Sequence, residues 1–361
     1  MEQTSALGSR ADVLSMTEEE IISFVSSELS EPAYRGAQLF SWMQKGTPID
    51  EMTNLPLSLR NKLKETVDYN LPKIVLRLTS KIDGTVKYLF ELADGERVES
   101  VFMKYEHGNT VCVSCQAGCR MGCRFCASTL KGRKRDLLPS EILGQVIEIA
   151  KDTGERIGGV VMMGIGEPLD NYDAAVRFLK LVSSEKGLGI GLRHISVSTC
   201  GIVPGIKKLA KEGLPVTLSV SLHASDDATR SSIMPINNKY HITELLDACR
   251  YYFETTGRRV SFEYTLISGK NDGMDDAEKL ADLLKRGMRA TCHVNLIRLN
   301  EVKETPFSGS AKERADAFCE KLNSLGVKST VRRRLGSDIN ASCGQLRLSG
   351  HADDANGKLN D

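Results

Sequence analysis

The sequence contains no run of about 18 apolar residues, which excludes a helical membrane span. Met1 to Ser15 lacks a basic start followed by an apolar block, so no secretory signal is expected and the expected compartment is the cytoplasm. Neither sign of charge is in excess: 48 Lys and Arg face 47 Asp and Glu, a net of +1. Proline and glycine, 10 and 31 residues, are too few for a collagenous or low-complexity chain. Ten cysteines in 361 residues are too sparse for a disulfide scaffold, and a chain this long needs no such staples to build a core. Cysteines in a cytoplasmic chain are metal ligands or catalysts more often than bridges. No internal repeat is present.

The balanced total hides a local asymmetry. Residues 1–50 carry eight acids and three bases, whereas residues 101–135 carry seven bases and the single acid Glu106. A solvated charged face is the plain reading of such a block.

Residues 1–70 read as a small helical module. Thr17 and Glu20 form a capping box leading into Ile21, Ile22, Phe24 and Val25. Further helices are expected over Tyr34–Gln44 and near Leu57–Thr66. Residues 71–106 alternate in the manner of a short β meander, with strands over Lys73–Leu78, Val86–Leu92 and Val98–Met103 and turns at Asp83-Gly84 and Asp94-Gly95. From 107 to 348 the rhythm becomes strand, helix, strand. Strands are expected at Gly159–Met163, His194–Ser198, Val216–Ser221, Val260–Ile267, His293–Leu296 and near Val327–Val331, with a helix between each pair. That order predicts an α/β fold of about six βα units, as a barrel, a partial barrel or a doubly wound sheet. In each, ligands sit at the carboxyl ends of the strands. Residues 349–361 form a polar tail expected to fray.

Five cysteines fall within fifteen residues: Cys112, Cys115, Cys119, Cys123 and Cys126. Thiolates select iron–sulfur, zinc or cuprous centres. A zinc site would pair Cys112 and Cys115 with Cys123 and Cys126, but the intervening linker is short for such a site and Cys119 is left idle. An iron–sulfur reading uses Cys119-x3-Cys123-x2-Cys126 and leaves one iron open for a substrate. Gly164-Ile165-Gly166-Glu167-Pro168, Ser196-Val197-Ser198-Thr199, Ser219-Val220-Ser221-Leu222-His223, and Asn295 with Asn300 fall at the ends of four predicted strands, on one face of the sheet.

The Cys119-x3-Cys123-x2-Cys126 loop, with Phe125 before its last cysteine, resembles that of the radical S-adenosylmethionine (SAM) superfamily. The resemblance implies a partial (βα)6 radical-SAM barrel and one 4Fe–4S cluster held by these three cysteines. SAM would chelate the fourth iron and be split to a 5′-deoxyadenosyl radical when the cluster is reduced. Over nearly its whole length the chain also resembles the radical-SAM adenine-C2 methyltransferases of 23S rRNA and tRNA, the RlmN family. The matching segments include Tyr34-Arg35-Gly36-Ala37-Gln38-Leu39-Phe40, Arg97-Val98-Glu99-Ser100-Val101, Met163-Gly164-Ile165-Gly166-Glu167-Pro168, Met234-Pro235-Ile236 and Ala341-Ser342-Cys343-Gly344-Gln345-Leu346.

Carbon 2 of adenine is electron-poor and its hydrogen is not acidic, so direct methyl transfer from a sulfonium is implausible. The resemblance implies a relay using two SAM per turnover. Cys343 takes a methyl group, the radical derived from that methyl adds to adenine, Glu99 accepts the carbon-2 proton, and Cys112 releases the product by forming a disulfide with Cys343. It further implies SAM contacts at Gly166, Glu167, Ser198, Ser221, Leu222, His223 and Asn300, and a flavodoxin or ferredoxin as electron donor to a monomeric enzyme. Arg332, Arg333, Arg334 and Arg347 around Cys343 would favour its thiolate. Lys131, Arg133, Lys134, Arg135 and Arg332–Arg334 are expected on RNA phosphates, with the target base flipped out.

Three features depart from the C2 pattern: Cys115, Arg298 and the run Met103-Lys104-Tyr105. Cys115 stands where the family usually has Ser. Arg298, together with Met103-Lys104-Tyr105, is similar to the sister enzymes that methylate carbon 8 of the same rRNA adenosine and confer antibiotic resistance. Carbon-8 methylation is the alternative reading, and a zinc-binding RNA module without catalysis is a distant third.

Overall fold

The computed structural model of the protein describes residues 10–106, 108–288 and 292–347. The expected tail, 349–361, lies outside them. Near the N-terminus, α1 (Glu18–Ser27), α2 (Ala33–Met43) and α3 (Leu57–Thr66) pack together, their ends joined by a parallel ladder of β1 (Ala11–Asp12) and β2 (Val67–Asp68). Thr17 caps α1, and Glu20 reciprocates on the Thr17 N–H at 2.8 Å. Gly36 lets α2 approach α1: a Cβ there would stand 2.5 Å from Ile22 Cα. Two of the acids of this region dock it on the rest of the chain. Glu20 pairs with Arg177 at 2.7 Å and Glu18 with Lys186 at 2.8 Å, both on the far side of the interface.

A single ten-stranded sheet dominates the rest. The strands β3 (Lys73–Thr79), β4 (Val86–Glu91) and β5 (Arg97–Tyr105) run antiparallel. The next strand, β6 (Gly108–Cys112), folds back on β5 and then pairs in parallel with β9 (Ile157–Met162). The meander therefore extends the main sheet and is not a separate unit. β6 went unforeseen because Gly108-Asn109-Thr110 has no apolar alternation; its pairing on both sides, not its propensity, makes it a strand. Between them, β7 (Gln116–Gly118) and β8 (Arg133–Asp136) form a small antiparallel ribbon.

The parallel set continues through β10 (Ile195–Thr199), β11 (Thr217–Ser221), β12 (Val260–Leu266), β13 (His293–Arg298) and β14 (Ser329–Val331). The crossovers carry α4 (Pro139–Thr153), α5 (Tyr172–Val182), α6 (Val203–Ala210), α7 (Asp227–Ile233) with α8 (Ile242–Thr256), α9 (Met274–Met288) and α10 (Lys312–Ser324). Six βα units followed by β14 make the partial barrel, and β14 and β3 are the two edges of the whole ten-stranded sheet. Strands such as β12, Val-Ser-Phe-Glu-Tyr-Thr-Leu, are buried along their whole length, as parallel strands covered on both faces must be.

The strand ends are fastened from inside. Arg230 of α7 has no exposed surface. Its guanidinium donates to the carbonyls of Cys200, Ser221 and Leu222 and to Asn237 Oδ1, over 2.7–3.1 Å. The loops after β10 and β11 are thus tied together where a ligand would sit.

Candidate active site

The ribbon of β7 and β8 closes the loop that carries Cys119, Cys123 and Cys126. Arg124 N–H donates to the Ile233 carbonyl at 2.9 Å, and Ala127 N–H to the Gly344 carbonyl at 2.8 Å. Ser128 Oγ donates to the Leu346 carbonyl at 2.7 Å. The loop is thereby stitched both to the barrel and to the segment containing Cys343. All three cysteines line one cavity of about 150 Å³. Burial drives each thiol up, Cys119 to about 12. Such thiols stay protonated unless a cation compensates them. Among the described residues no three Cys, His, Asp or Glu side chains converge on a position for one metal ion. A four-iron cluster makes a different demand, since each thiolate takes its own corner of the cube. Three cysteines of one loop lining one cavity fit it.

Much of the remaining lining comes from strand ends. Gly166, at φ +113, crosses directly over β7: a Cβ there would lie 2.7 Å from Gln116 Cβ. Glu167 is buried, its oxygens accepting from Cys200 N–H at 2.7 Å and Leu169 N–H at 3.0 Å. The side chains of Thr199 and Cys200 also donate to this carboxyl. Ser198 and Ser221 line the same cavity.

His223 also lines it, in a left-handed backbone conformation at φ +56. Its Nδ1 accepts from Thr265 N–H at 2.9 Å. Burial, with Arg230 nearby, lowers its pKa to about 3, so the ring is neutral. The proton must then sit on Nε2, which makes this atom a donor.

Two expected contacts are placed differently. The Leu222 side chain is fully buried in the main core, so only its backbone could serve. Asn300 lines the cavity, but its amide donates to the Cys343 carbonyl at 3.0 Å and accepts from Arg334 Nε at 2.6 Å. In this state it positions the Cys343 segment.

Glu263 was not singled out from the sequence, where a Glu within a strand carries no distinguishing signal. It is 3% exposed and lines the cavity. Oε1 accepts from Asn295 Nδ2 at 2.8 Å. Oε2 is buried without a hydrogen-bond partner; Arg332 Nη1, at 3.6 Å, is beyond hydrogen-bond length. An orphaned buried carboxylate oxygen is costly unless a ligand supplies a donor.

Cys343 is half-buried and borders three adjoining cavities. The first is the cluster-side cavity. The second is lined by Met103, Tyr105, Arg298, Arg333 and Arg334. The third, small and apolar, it shares with Cys112, whose thiol burial raises to about 12, with Cys343 adding to the effect. Arg332 lies beside both thiols and is held protonated, chiefly by the Cys343 sulfur. Glu99 sits on β5, two residues before Val101, the register partner of Cys112, and is 4% exposed. Burial raises its pKa, opposed most by Lys87.

The basic block is less available than its sequence suggests. Arg133 pairs with Asp136 at 2.8 Å, and Arg135 with Asp94 and Glu141 at 2.6 and 2.7 Å. Lys131 and Lys134 are exposed. Arg332 faces inward to Glu263 and Met163 and is not a phosphate contact; Arg333 and Arg334 are exposed. The zinc alternative, four cysteines on one ion, is not assembled among the described residues. Cys112, Cys115 and the Cys123/Cys126 pair pack into three different apolar clusters. Cys115 is directed into the main core, away from the Cys112 and Cys343 pair.

Comparison with known proteins agrees with this geometry. The model of the Radical SAM superfamily matches residues 113–284, and that of the ribosomal RNA large subunit methyltransferase N-terminal domain matches residues 11–68. A probable dual-specificity RNA methyltransferase RlmN of Lachnospira eligens is 52% identical over 93% of this chain and 95% of its own. One from Clostridium perfringens is 51% identical over 94% and 97%. The crystal structure of a radical SAM methyltransferase from Sphaerobacter thermophilus superposes with a TM-score of 0.89 at 42% identity, covering 94% of this chain and all of that one. With Cys119, Cys123, Cys126, several strand ends and Cys343 meeting around one cavity, the chain belongs to the RlmN family of radical SAM RNA methyltransferases.

Proposed function

We infer that the enzyme methylates carbon 2 of an adenosine in the peptidyl transferase region of 23S rRNA and of the adenosine 3′ of the tRNA anticodon, through an S-methylcysteine at Cys343. The observation that carries this reading is the position of Cys343, on the seam between the cluster-side cavity and an arginine-rimmed cavity. A residue that collects a carbon on one side and delivers it on the other must stand there. When bound, the cluster and two SAM per turnover supply a methyl group and a 5′-deoxyadenosyl radical.

Cys119, Cys123 and Cys126 would hold the cluster. Gly166, Glu167, Ser198, Ser221 and His223 would hold SAM, with the Leu222 backbone and Asn300 beside them. Cys343 accepts the methyl group and carries its carbon to adenine. Glu99 takes the carbon-2 proton, and Cys112 closes on Cys343 as a disulfide when the product leaves. Arg298, Arg333 and Arg334 bring RNA phosphates to the mouth, which requires the target base to leave its stack. A flavodoxin or ferredoxin donor and a cytoplasmic monomer belong to the same reading. Among the described residues no helix is long and apolar enough to cross a membrane.

The second reading, carbon-8 methylation, draws support from Met103, Tyr105 and Arg298, which resemble the sister enzymes and all line the arginine-rimmed cavity. Mass spectrometry of nucleosides from rRNA and tRNA treated with reconstituted enzyme separates the two. 2-Methyladenosine is expected in both RNAs; 8-methyladenosine would overturn the assignment.

Glu263 is expected to contact SAM, because it lines the cavity and its buried Oε2 has no hydrogen-bond partner. Replacing Glu263 with Gln should weaken SAM binding roughly tenfold, the value of one hydrogen bond to a charged group. Equilibrium dialysis with labelled SAM measures this directly. Unchanged affinity would deny the contact.

A further inference from the structure

Glu99 is not alone in its pocket. Lys87 of β4 places Nζ 3.1 Å from Glu99 Oε1, and the two side chains are only 12% and 6% exposed. The same ammonium reaches the Asn340 carbonyl at 3.4 Å. Glu99 Oε2 accepts from Arg347 N–H at 2.9 Å. Asn340 and Arg347 bracket Cys343 on either side. One buried ion pair therefore grips both ends of the segment that carries the methyl-accepting thiol.

The physical problem this solves is specific. A carboxylate moved out of water without a counter-ion protonates, and a protonated carboxyl cannot accept another proton. Burial is the largest influence on Glu99, and Lys87 is the largest opposing one. The charged groups that bear on Glu99 are Lys87 from β4 and Arg347 from the Cys343 segment, whose guanidinium is committed to Glu304 at 2.8 Å. From the segment after β6, Ser114 Oγ donates to the Glu99 carbonyl and adds no charge. The bland alternative is a structural ion pair. Buried pairs of that kind add little net stability over a packed apolar pair, so they explain poorly why this one joins the proposed base to the Cys343 segment.

We propose that Lys87 is a positioning residue for methyl transfer: as the buried counter-ion of Glu99 it keeps that carboxylate ready to take the proton leaving adenine, and it holds the Cys343 segment in register with it. This rests on the reading of Glu99 as proton acceptor. Only a proton moves in the step. The C–H electron pair stays with the ring, and a Glu99 oxygen gains the O–H bond.

The test uses full-length, cluster-reconstituted protein with Lys87→Met, Lys87→Arg and Glu99→Gln. Two products are counted across a pH series, methylated adenosine and 5′-deoxyadenosine. Lys87→Met is expected to form 5′-deoxyadenosine at the wild-type rate but to methylate at least about tenfold fewer adenosines per cleavage, since positioned bases contribute at least that much. The acid limb of its methylation profile should move to higher pH, because without Lys87 the carboxylate form needs more alkaline conditions. Lys87→Arg should restore most of the coupling. Loss of cluster, SAM cleavage and methylation together in Lys87→Met would make the residue merely structural and sink the proposal, as would unchanged coupling and an unchanged profile. Glu99→Gln tells which idea has failed. If it methylates normally, the reading of Glu99 is wrong; if it is inactive while Lys87→Met behaves as wild type, only the role of Lys87 is wrong.

Discussion

Replacing Cys343 with alanine is expected to lower RNA methylation by at least about 10⁴-fold, the scale seen when a covalent catalyst is removed, while iron content and SAM binding stay at wild-type levels. Among the described residues no other thiol borders both the cluster-side and the arginine-rimmed cavities, so no neighbour can take over as carbon carrier. The backbone around position 343 should hold, because the bond from Asn300 is made to the Cys343 carbonyl and not to its side chain. Arg332 keeps Glu263 close by, at 3.6 Å. The measurement is methylated adenosine per enzyme, beside iron analysis and SAM dialysis on the same sample. Full methylation by this variant would end the relay.

The second large effect is the opposite in kind. Alanine at Cys119, Cys123 or Cys126 should abolish colour, iron and sulfide content, SAM cleavage and methylation together. Three thiolates are the whole protein ligand set for such a cluster, and each one removed leaves an iron without its anchor. Cys200 packs in the same apolar cluster as Cys123 and Cys126, but its backbone N–H and its thiol are both engaged with Glu167, so it is not expected to substitute. Anaerobic reconstitution followed by optical spectra and metal analysis decides the matter. Methylation persisting in the triple variant, or tightly bound zinc in the native protein, would refute the iron–sulfur assignment. The two substitutions divide the site: one leaves the cofactor in place and stops the relay, the other removes the cofactor itself.

Much of this site was legible because its residues lie in local patterns. The x3–x2 cysteine spacing falls on one loop, and Gly166-Glu167, Ser198 and Ser221-His223 fall at ends of periodic strands. A parallel sheet places all such ends on one side, so strand periodicity alone brings them together. Glu263 escaped notice because a buried Glu in Val260–Leu266 cannot be told from a solvated one by its neighbours in sequence. Lys87 escaped for the same reason: its partners Glu99 and Asn340 are 12 and 253 residues away. Conversely, Arg133 and Arg135 look like a phosphate grip until Asp94, Asp136 and Glu141 are found beside them.

The sequence by itself determined the alternating βα architecture and the spacing of the cysteine loop, since each depends on a pattern within a single element or turn, whereas Cys343 stood out only by resemblance to a family. Only the tertiary structure decided which charges are paired, which carboxylate oxygen lacks a donor, and that Cys343 stands between cavities with a buried ion pair holding the segment on either side of it. Those properties arise from burial and from contacts between distant segments, and a one-dimensional pattern does not encode the dielectric around a side chain.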